Sequence, residues 1–445
     1  MSAIFGVVHW DGRPVAAEEL VHVDEALAAY GPDGGGLWHE GHVGLGHRLS
    51  CVTPEDRFER QPSLCSDGQG VLVADARIDN REELARMWSM GAETRHWPDS
   101  AFVARALDVW DEEGMARLRG AFALAHWDPR EGRLLLARSP FCERPLFYHS
   151  SPRTFAFSSM PKGLFALGVV GRALDEPFLA DFLAVERPDP SASFFREVRR
   201  VPGGHVLIVT RTAAHVRPFW RPDLIRELRL PTNGSYVEAF LDVYSRAVRR
   251  AIRSVGAVGV MVSGGLDSSS VAAMAARMLA DRGERLAAFT EVPSRDFAGA
   301  IVAGRYADET PFVEALARRY DNIDLTFIRT DGRFHFDNAD ERYRGAEAPF
   351  RTALVMSWWD ALMGTAQRQG VRVLLHGLCG NFTISYAGGG LIAQLIAQGR
   401  LRSALGEARA INRANGSGSV LRTLVRSGLL PLLPTWIDLG LQRLR

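Results

Sequence analysis

An apolar run from Val255 to Val262 leads directly into Ser263-Gly264-Gly265-Leu266-Asp267-Ser268-Ser269, and a helical pattern follows from Ser270 to Leu279. A buried strand that turns through paired glycines into a helix is the basic step of an α/β sheet. The turn exposes backbone N–H groups at the positive end of a helix dipole, which suits a polyphosphate. Paired glycines let the backbone approach an anion closely. The hydroxyls of Ser263, Ser268 and Ser269 can donate to phosphate oxygens. Asp267 can hold a magnesium ion or simply cap the helix start. The loop lacks the Gly-Lys-Ser/Thr of a P-loop and the spacing of a dinucleotide fingerprint.

The pattern on either side of this segment differs. Residues 1–215 read as a β-rich unit. Short runs at Ile4–His9, Gly70–Ala74, Ala121–Trp127, Leu134–Ala137 and Phe155–Ser158 alternate with turn clusters, and Glu82–Trp88 and Ala101–Trp110 read as helices. Residues 216–235, rich in proline and arginine, read as a linker. Residues 236–445 alternate helix and strand, with strands at Arg285–Val292, Ile323–Arg329 and Val371–Leu375 and helices at Asp308–Tyr320 and Thr352–Arg368. That alternation predicts a parallel sheet with ligands at the carboxyl ends of its strands. The glycine loop lies at one such end and His376-Gly377-Leu378-Cys379-Gly380-Asn381 at another.

With 445 residues, 47% hydrophobic and 24% charged, the chain has the profile of a globular protein of two or three domains. A net charge of +1 gives no reason to expect nucleic-acid or membrane binding. Of 53 basic residues one is a lysine, Lys162, so no lysine serves catalysis after that position. Cys51, Cys65, Cys142 and Cys379 have neither metal nor redox spacing and fit a reducing cytoplasm. No signal peptide is apparent. The apolar stretch Leu429–Leu441 is too short to span a bilayer.

Further segments, taken in order, are specific. They are Ile4-Phe5-Gly6, Gly31-Pro32-Asp33, Leu45-Gly46-His47-Arg48-Leu49-Ser50, Leu118-Arg119-Gly120-Ala121-Phe122-Ala123, Arg144-Pro145-Leu146-Phe147-Tyr148 and Val201-Pro202-Gly203-Gly204-His205, with Ser263–Ser269 after them. On these the chain resembles the asparagine synthetase and β-lactam synthetase superfamily over essentially its whole length. The resemblance implies an α+β N-terminal glutaminase-like (Ntn) sandwich, then an α/β doubly wound parallel-sheet ATP-pyrophosphatase domain. Within the superfamily it is most similar to lasso-peptide cyclases, on Tyr306-Ala307-Asp308-Glu309-Thr310-Pro311, Glu347-Ala348-Pro349-Phe350-Arg351 with Trp358, and Gly377–Ser385. An asparagine synthetase would carry an acidic segment where this chain has Gly380-Asn381-Phe382-Thr383.

The resemblance also marks departures. Active glutaminases of this type use a cysteine at position 2, and here the residue is Ser2. The family arginine before Gly-Pro-Asp is Tyr30, and the Asn-Gly pair of the oxyanion hole aligns with Ala74-Asp75. Asp99 matches the residue that grips the glutamine amine. The expectation is an inactive glutaminase domain that packs on the other half. Superfamily members also continue beyond the Gly-rich loop to a lysine-bearing lobe, so this chain reads as short at its C-terminus.

The implied mechanism is adenylation. ATP lies with its phosphates on Ser263–Ser269, magnesium on Asp267, and adenine against Val262, Thr290, His376 and Gly377. An Asp or Glu side chain of a precursor peptide attacks the α-phosphorus, and the peptide's N-terminal amine then closes an isopeptide ring. Asp308, Glu309, Asn381 and Ser385 are the candidate catalytic residues. Asp308 and Glu309 equally fit the first turn of a solvated helix, and Asn381, Thr383 and Ser385 fit a turn. His47 reads as a core histidine, and Trp358 and Trp359 as helix packing. The implied partners are the precursor and the leader peptidase of the same pathway. Two alternatives stay open: an amidating enzyme using free ammonia and aspartate, and a non-catalytic nucleotide- or peptide-binding scaffold.

Overall fold

The computed structural model describes the chain apart from residues 66, 67, 69, 187, 188, 302–305, 387, 415–417 and 434–445. The end of the Leu429–Leu441 stretch thus lies outside the described residues. No described helix is long and apolar enough to cross a membrane.

The amino-terminal half has four layers. One antiparallel sheet runs Arg199–Arg200, Phe147–Ser150, Thr154–Ser158, Ala3–His9, Val43–Leu49, Gly34–Glu40. The other runs Ala214–Pro218, His205–Val209, Arg133–Arg138, Gly120–Asp128, Val71–Ile78, Ser63–Leu64. Strand side chains alternate between faces. Ile4, Val8, Leu45 and Phe157 of the first sheet therefore meet Val71, Val73, Ala125 and Leu136 of the second in one core. The residues between them point outward. Ala3, Phe5 and Val7 pack with Leu20, Val23 and Leu164 of helices Ala17–Ala26 and Pro161–Ala166. Leu72, Ala74 and Leu124 pack with Leu84, Phe102 and Ala106 of helices Arg81–Met87 and Asp99–Trp110.

The segment 216–235 is regular at both ends. Ala214–Pro218 pairs with His205–Val209, and the helix Asn233–Ala251 starts inside the expected linker. That helix has its N-cap at Thr232, whose side chain accepts from Ser235 N–H. Its C-terminal carbonyls, Arg250 O and Ala251 O, both accept from the Arg77 guanidinium at 2.8 Å.

The carboxyl half holds a four-stranded parallel sheet in the order Ile323–Ile328, Leu286–Glu291, Ala257–Met261, Val371–Leu375. All three pairings are parallel. Met261 and Phe289 face the helix Met356–Arg368 through Leu362 and Ala366. Val258, Val260, Leu286 and Ala288 alternate to the opposite face and are 0–3% exposed, so both faces are covered. Val371–Leu375 is an edge strand with only Leu375 buried, which corrects the expectation of a fully buried strand. The acidic pair is also displaced. The helix begins at Thr310 with Pro311 in its first turn, so Asp308 and Glu309 precede it.

By packing, the chain divides into residues 1–263 with 272–375, and residues 264–271 with 376–445. The two halves read from sequence therefore share the first unit for most of their length. In the second unit, helices Leu391–Ala397 and Leu401–Ala414 pack through Ile392, Leu395, Ala404 and Ala408. Val420–Leu424 follows and runs into a wider π-type turn at Val425–Leu429.

Candidate active site

In chain order the parallel strands are arranged 3-2-1-4, so the order reverses between Ala257–Met261 and Val371–Leu375. Loops leaving the carboxyl ends of strands at such a switch point are where α/β sheets bind ligands. The glycine loop leaves the first of these strands and His376–Asn381 the other. The strand pairing extends to Val262, whose N–H donates to Phe289 O at 2.9 Å. The helix starts at Leu266, inside the Ser263–Ser269 motif, with Asp267 in its first turn.

The two loops are pressed together in the second unit. A Cβ placed on Gly377 would lie 2.5 Å from Ser268 N, and one on Gly380 would lie 2.1 Å from Asp267 Cγ. Only glycine tolerates either approach. Cys379, in the left-handed region at φ +64°, turns the chain so that Gly380 meets Asp267. Sequence reasoning missed Gly380, although the Gly-x-x-Gly spacing of 377 and 380 was a legible signal. Asp267 Oδ1 is buried and has no hydrogen-bond partner among the described residues. A buried carboxylate oxygen without a donor calls for a cation. Among the described residues no group of three or more His, Cys, Asp or Glu could hold a metal by itself. One carboxylate plus phosphate oxygens is how magnesium is held with a nucleotide, and Asp267 with its orphaned oxygen fits that role.

Other expected residues fall in varied places. Leu266 is exposed, Ser268 is 9% exposed and Thr290 1% exposed, so the Thr290 side chain lies inside the sheet. His376 is exposed, and its Nδ1 accepts from Leu378 N–H at 3.2 Å. Ser385 Oγ donates to Asn381 Oδ1 at 3.1 Å, and both residues are bound into the turn after Gly380. Asp308 is exposed and accepts from Thr310, whose hydroxyl and N–H hold its carboxyl below the ordinary range. Trp358 and Trp359 pack at the sheet, as expected.

At the amino-terminal end, a narrow cleft brings together Ser2, Ala74 and Asp75, with His47, Ser50 and Arg144. Most of its groups are paired internally, and Thr53 Oγ1 and Arg144 Nε are buried without a hydrogen-bond partner among the described residues. Ser2 Oγ accepts from Ser50 N–H at 3.0 Å. Gln61 takes both backbone groups of Ala74, accepting from its N–H at 2.5 Å and donating to its carbonyl at 2.9 Å. Asp75 is 5% exposed and faces Arg144 at 3.5 Å, and burial pushes its carboxyl above the usual range. His47 is 1% exposed, and burial lowers it to about 4. Tyr30 and Asp99 are not in this cleft. Tyr30 OH donates to Gly345 O at 2.6 Å. Asp99, 1% exposed, is bound by Arg81 and Arg253, so its carboxylate is already paired.

Two protein families match the chain in series. Residues 1–220 match the glutamine amidotransferase domain family, and residues 239–394 match the asparagine synthase family. Asparagine synthetase [glutamine-hydrolyzing] 3 of Bacillus subtilis is 26% identical over 280 residues, covering 61% of this chain and 45% of that protein. Asparagine synthetase [glutamine-hydrolyzing] 1 of the same organism is 27% identical over 277 residues, covering 58% and 41%. Amidase chry2 of Gibberella zeae is 25% identical over 391 residues, covering 83% and 55%. The chain thus spans about half the length of these relatives. The two matches thus follow one another along the chain, a glutamine amidotransferase domain and then an asparagine synthase domain.

Proposed function

We propose that this chain is an ATP-dependent ligase that joins a carboxylate to an amine it does not obtain from glutamine. The observation that carries the reading is the orphaned Asp267 oxygen at the head of the phosphate loop, held there by Gly380. A substrate carboxylate oxygen attacks the α-phosphorus of ATP and pyrophosphate leaves. The amine nitrogen then attacks the acyl-adenylate carbon, AMP leaves and the amine loses a proton. The protein supplies orientation and compensates phosphate charge, and no protein nucleophile takes part. In the finer form of the reading, the carboxylate is an Asp or Glu side chain of a precursor peptide and the amine is that peptide's own N-terminus, so a macrolactam forms. The non-acidic Gly380-Asn381-Phe382-Thr383 segment supports this form. The Ser2 cleft supports an amine source other than glutamine. A reducing cytoplasm, with a leader peptidase supplying the trimmed peptide, is the setting this implies.

A second reading, ammonia-dependent amidation of aspartate, is favoured by the relatives named asparagine synthetase. Pyrophosphate exchange separates the two. Exchange driven by linear, leader-free peptide and not by aspartate supports ring closure, and the reverse supports amidation. Nucleotide binding without exchange on any carboxylate overturns both and leaves a scaffold.

A further inference from the structure

Two short helices from the two sequence halves meet end to end and cap each other. The last carbonyls of a helix have no donor inside it. In Ala339–Ala346 those carbonyls are supplied from the amino-terminal domain. Tyr30 OH donates to Gly345 O at 2.6 Å, and the Lys162 ammonium donates to Arg344 O. In return the Glu347 carboxylate accepts the Lys162 backbone N–H at 2.5 Å, in the first turn of Pro161–Ala166. A cation thus sits at one helix C-terminus and an anion at the other's N-terminus, each on the side its dipole favours. Glu347 adopts φ +48°, a region that non-glycine residues avoid, and its bond to Lys162 compensates. The contact continues on both sides. The Lys162 ammonium lies 5.1 Å from the Tyr30 ring centroid, Arg351 lies 4.2 Å from that of Phe182, and Ala348 joins the outer cluster of the amino-terminal domain.

What this clasp holds reaches the strand Ala257–Met261. Arg342, on the clasped helix, binds Asp360 of Met356–Arg368 at 2.9 Å. Leu362 and Ala366 of that second helix pack against Met261, the last residue of the strand that enters the loop. A polar cavity of about 340 Å³ lies along the pair, lined by Arg333, Asp337, Asn338, Arg342, Ser357 and Asp360. Arg342 and Asp360 are paired with each other, and the Arg333 guanidinium, Asn338 amide and Ser357 hydroxyl are groups that suit a peptide main chain.

We propose that the amino-terminal domain holds the acyl-substrate wall of the ligase half in place, with Tyr30, Lys162 and Glu347 as positioning residues and this cavity as the seat of the carboxylate-bearing peptide. The proposal rests on the ligase reading given above. It gives the domain a purpose that needs no glutamine hydrolysis.

The test uses the full chain carrying Tyr30→Phe with Lys162→Met. Hydrogen–deuterium exchange should show protection across 339–351 falling about tenfold, the equivalent of one charge-assisted hydrogen bond at ~1.4 kcal/mol, with the amino-terminal sheets unchanged. In pyrophosphate exchange, KM for the peptide should rise about tenfold while kcat and KM for ATP stay within about twofold. Lys162→Arg, which keeps the cation, should restore KM. Asp24→Asn, which breaks the distant Asp24–Arg48 pair, should leave it alone. Unchanged protection in the double variant, or KM for ATP rising in step with KM for peptide, overturns the proposal. An inactive wild type overturns the ligase reading itself, and an active wild type with an unmoved KM overturns this proposal alone.

Discussion

In the cleft beside Ser2 most polar groups are paired, and the buried atoms without a hydrogen-bond partner among the described residues, Thr53 Oγ1 and Arg144 Nε, can both donate. Ser50 donates to the Ser2 hydroxyl, Gln61 occupies both backbone groups of Ala74, and Arg144 faces Asp75. At the glycine loop the buried atom with no partner among the described residues is an acceptor, Asp267 Oδ1. Closed hydrogen bonding stabilises a fold, and an unanswered acceptor marks a place where something must bind. The orphaned groups therefore differ in kind, with donors at the Ser2 cleft and a carboxylate acceptor at the glycine loop.

The sharpest way to break this contrast is Asp267→Asn, which keeps the shape and removes the charge. Pyrophosphate exchange should fall by about 10²–10³, the usual cost of losing one preorganised charge partner. Undiminished exchange would show that Asp267 merely starts a helix. The next test addresses the amino-terminal cleft. His47 is held neutral, at about 4 against an ordinary value near 6.5. The unfolded chain binds the extra proton between those values, so the contribution is complete above pH 6.5 and lost as pH falls through 4. The loss amounts to about 3 kcal/mol. Urea unfolding across that window should show it, and His47→Gln should flatten the profile.

Gly380→Ala should act on the other cleft by crowding. Its Cβ would lie 2.1 Å from Asp267 Cγ, a clash worth about 1–3 kcal/mol. Calorimetry should show weaker nucleotide binding, with the amino-terminal domain melting as before. The smallest effect belongs to Ser2→Ala. If the cleft is structural, ATP-dependent turnover stays within about twofold, since no transition-state contact is lost. A large loss would return Ser2 to the chemistry and erase the contrast between the two ends.

Much of this was legible in the chain because it depends on neighbours in sequence. Strand–glycine–helix at Val255–Leu279 is a local pattern, and the structure keeps it, with the helix starting earlier at Leu266. Local runs likewise gave the four strands of the carboxyl sheet and five strands of the amino half, but not Val43–Leu49 or His205–Val209. What sequence hid was non-local or depended on backbone. Pro311 sets the start of its helix and leaves Asp308 and Glu309 outside it. Val371–Leu375 looks like a core strand by composition, but its place at the sheet edge comes from topology. Asp99 has a plausible aligned role, yet one of the two arginines that claim it, Arg253, is 154 residues away. Tyr30 reaches a carbonyl 315 residues on, and a carbonyl has no residue type for a pattern to detect.

Arg77 holds the carbonyls that end the helix Asn233–Ala251, and Val255 N–H pairs with Val52 O, just ahead of the strand that feeds the phosphate loop. Synthesis on the ribosome delivers the docking groups first and the docked strand some 175 residues later. The carboxyl half is thus synthesised after the groups that dock it, and a chain stripped of residues 1–220 would lack the Arg77 and Val52 contacts.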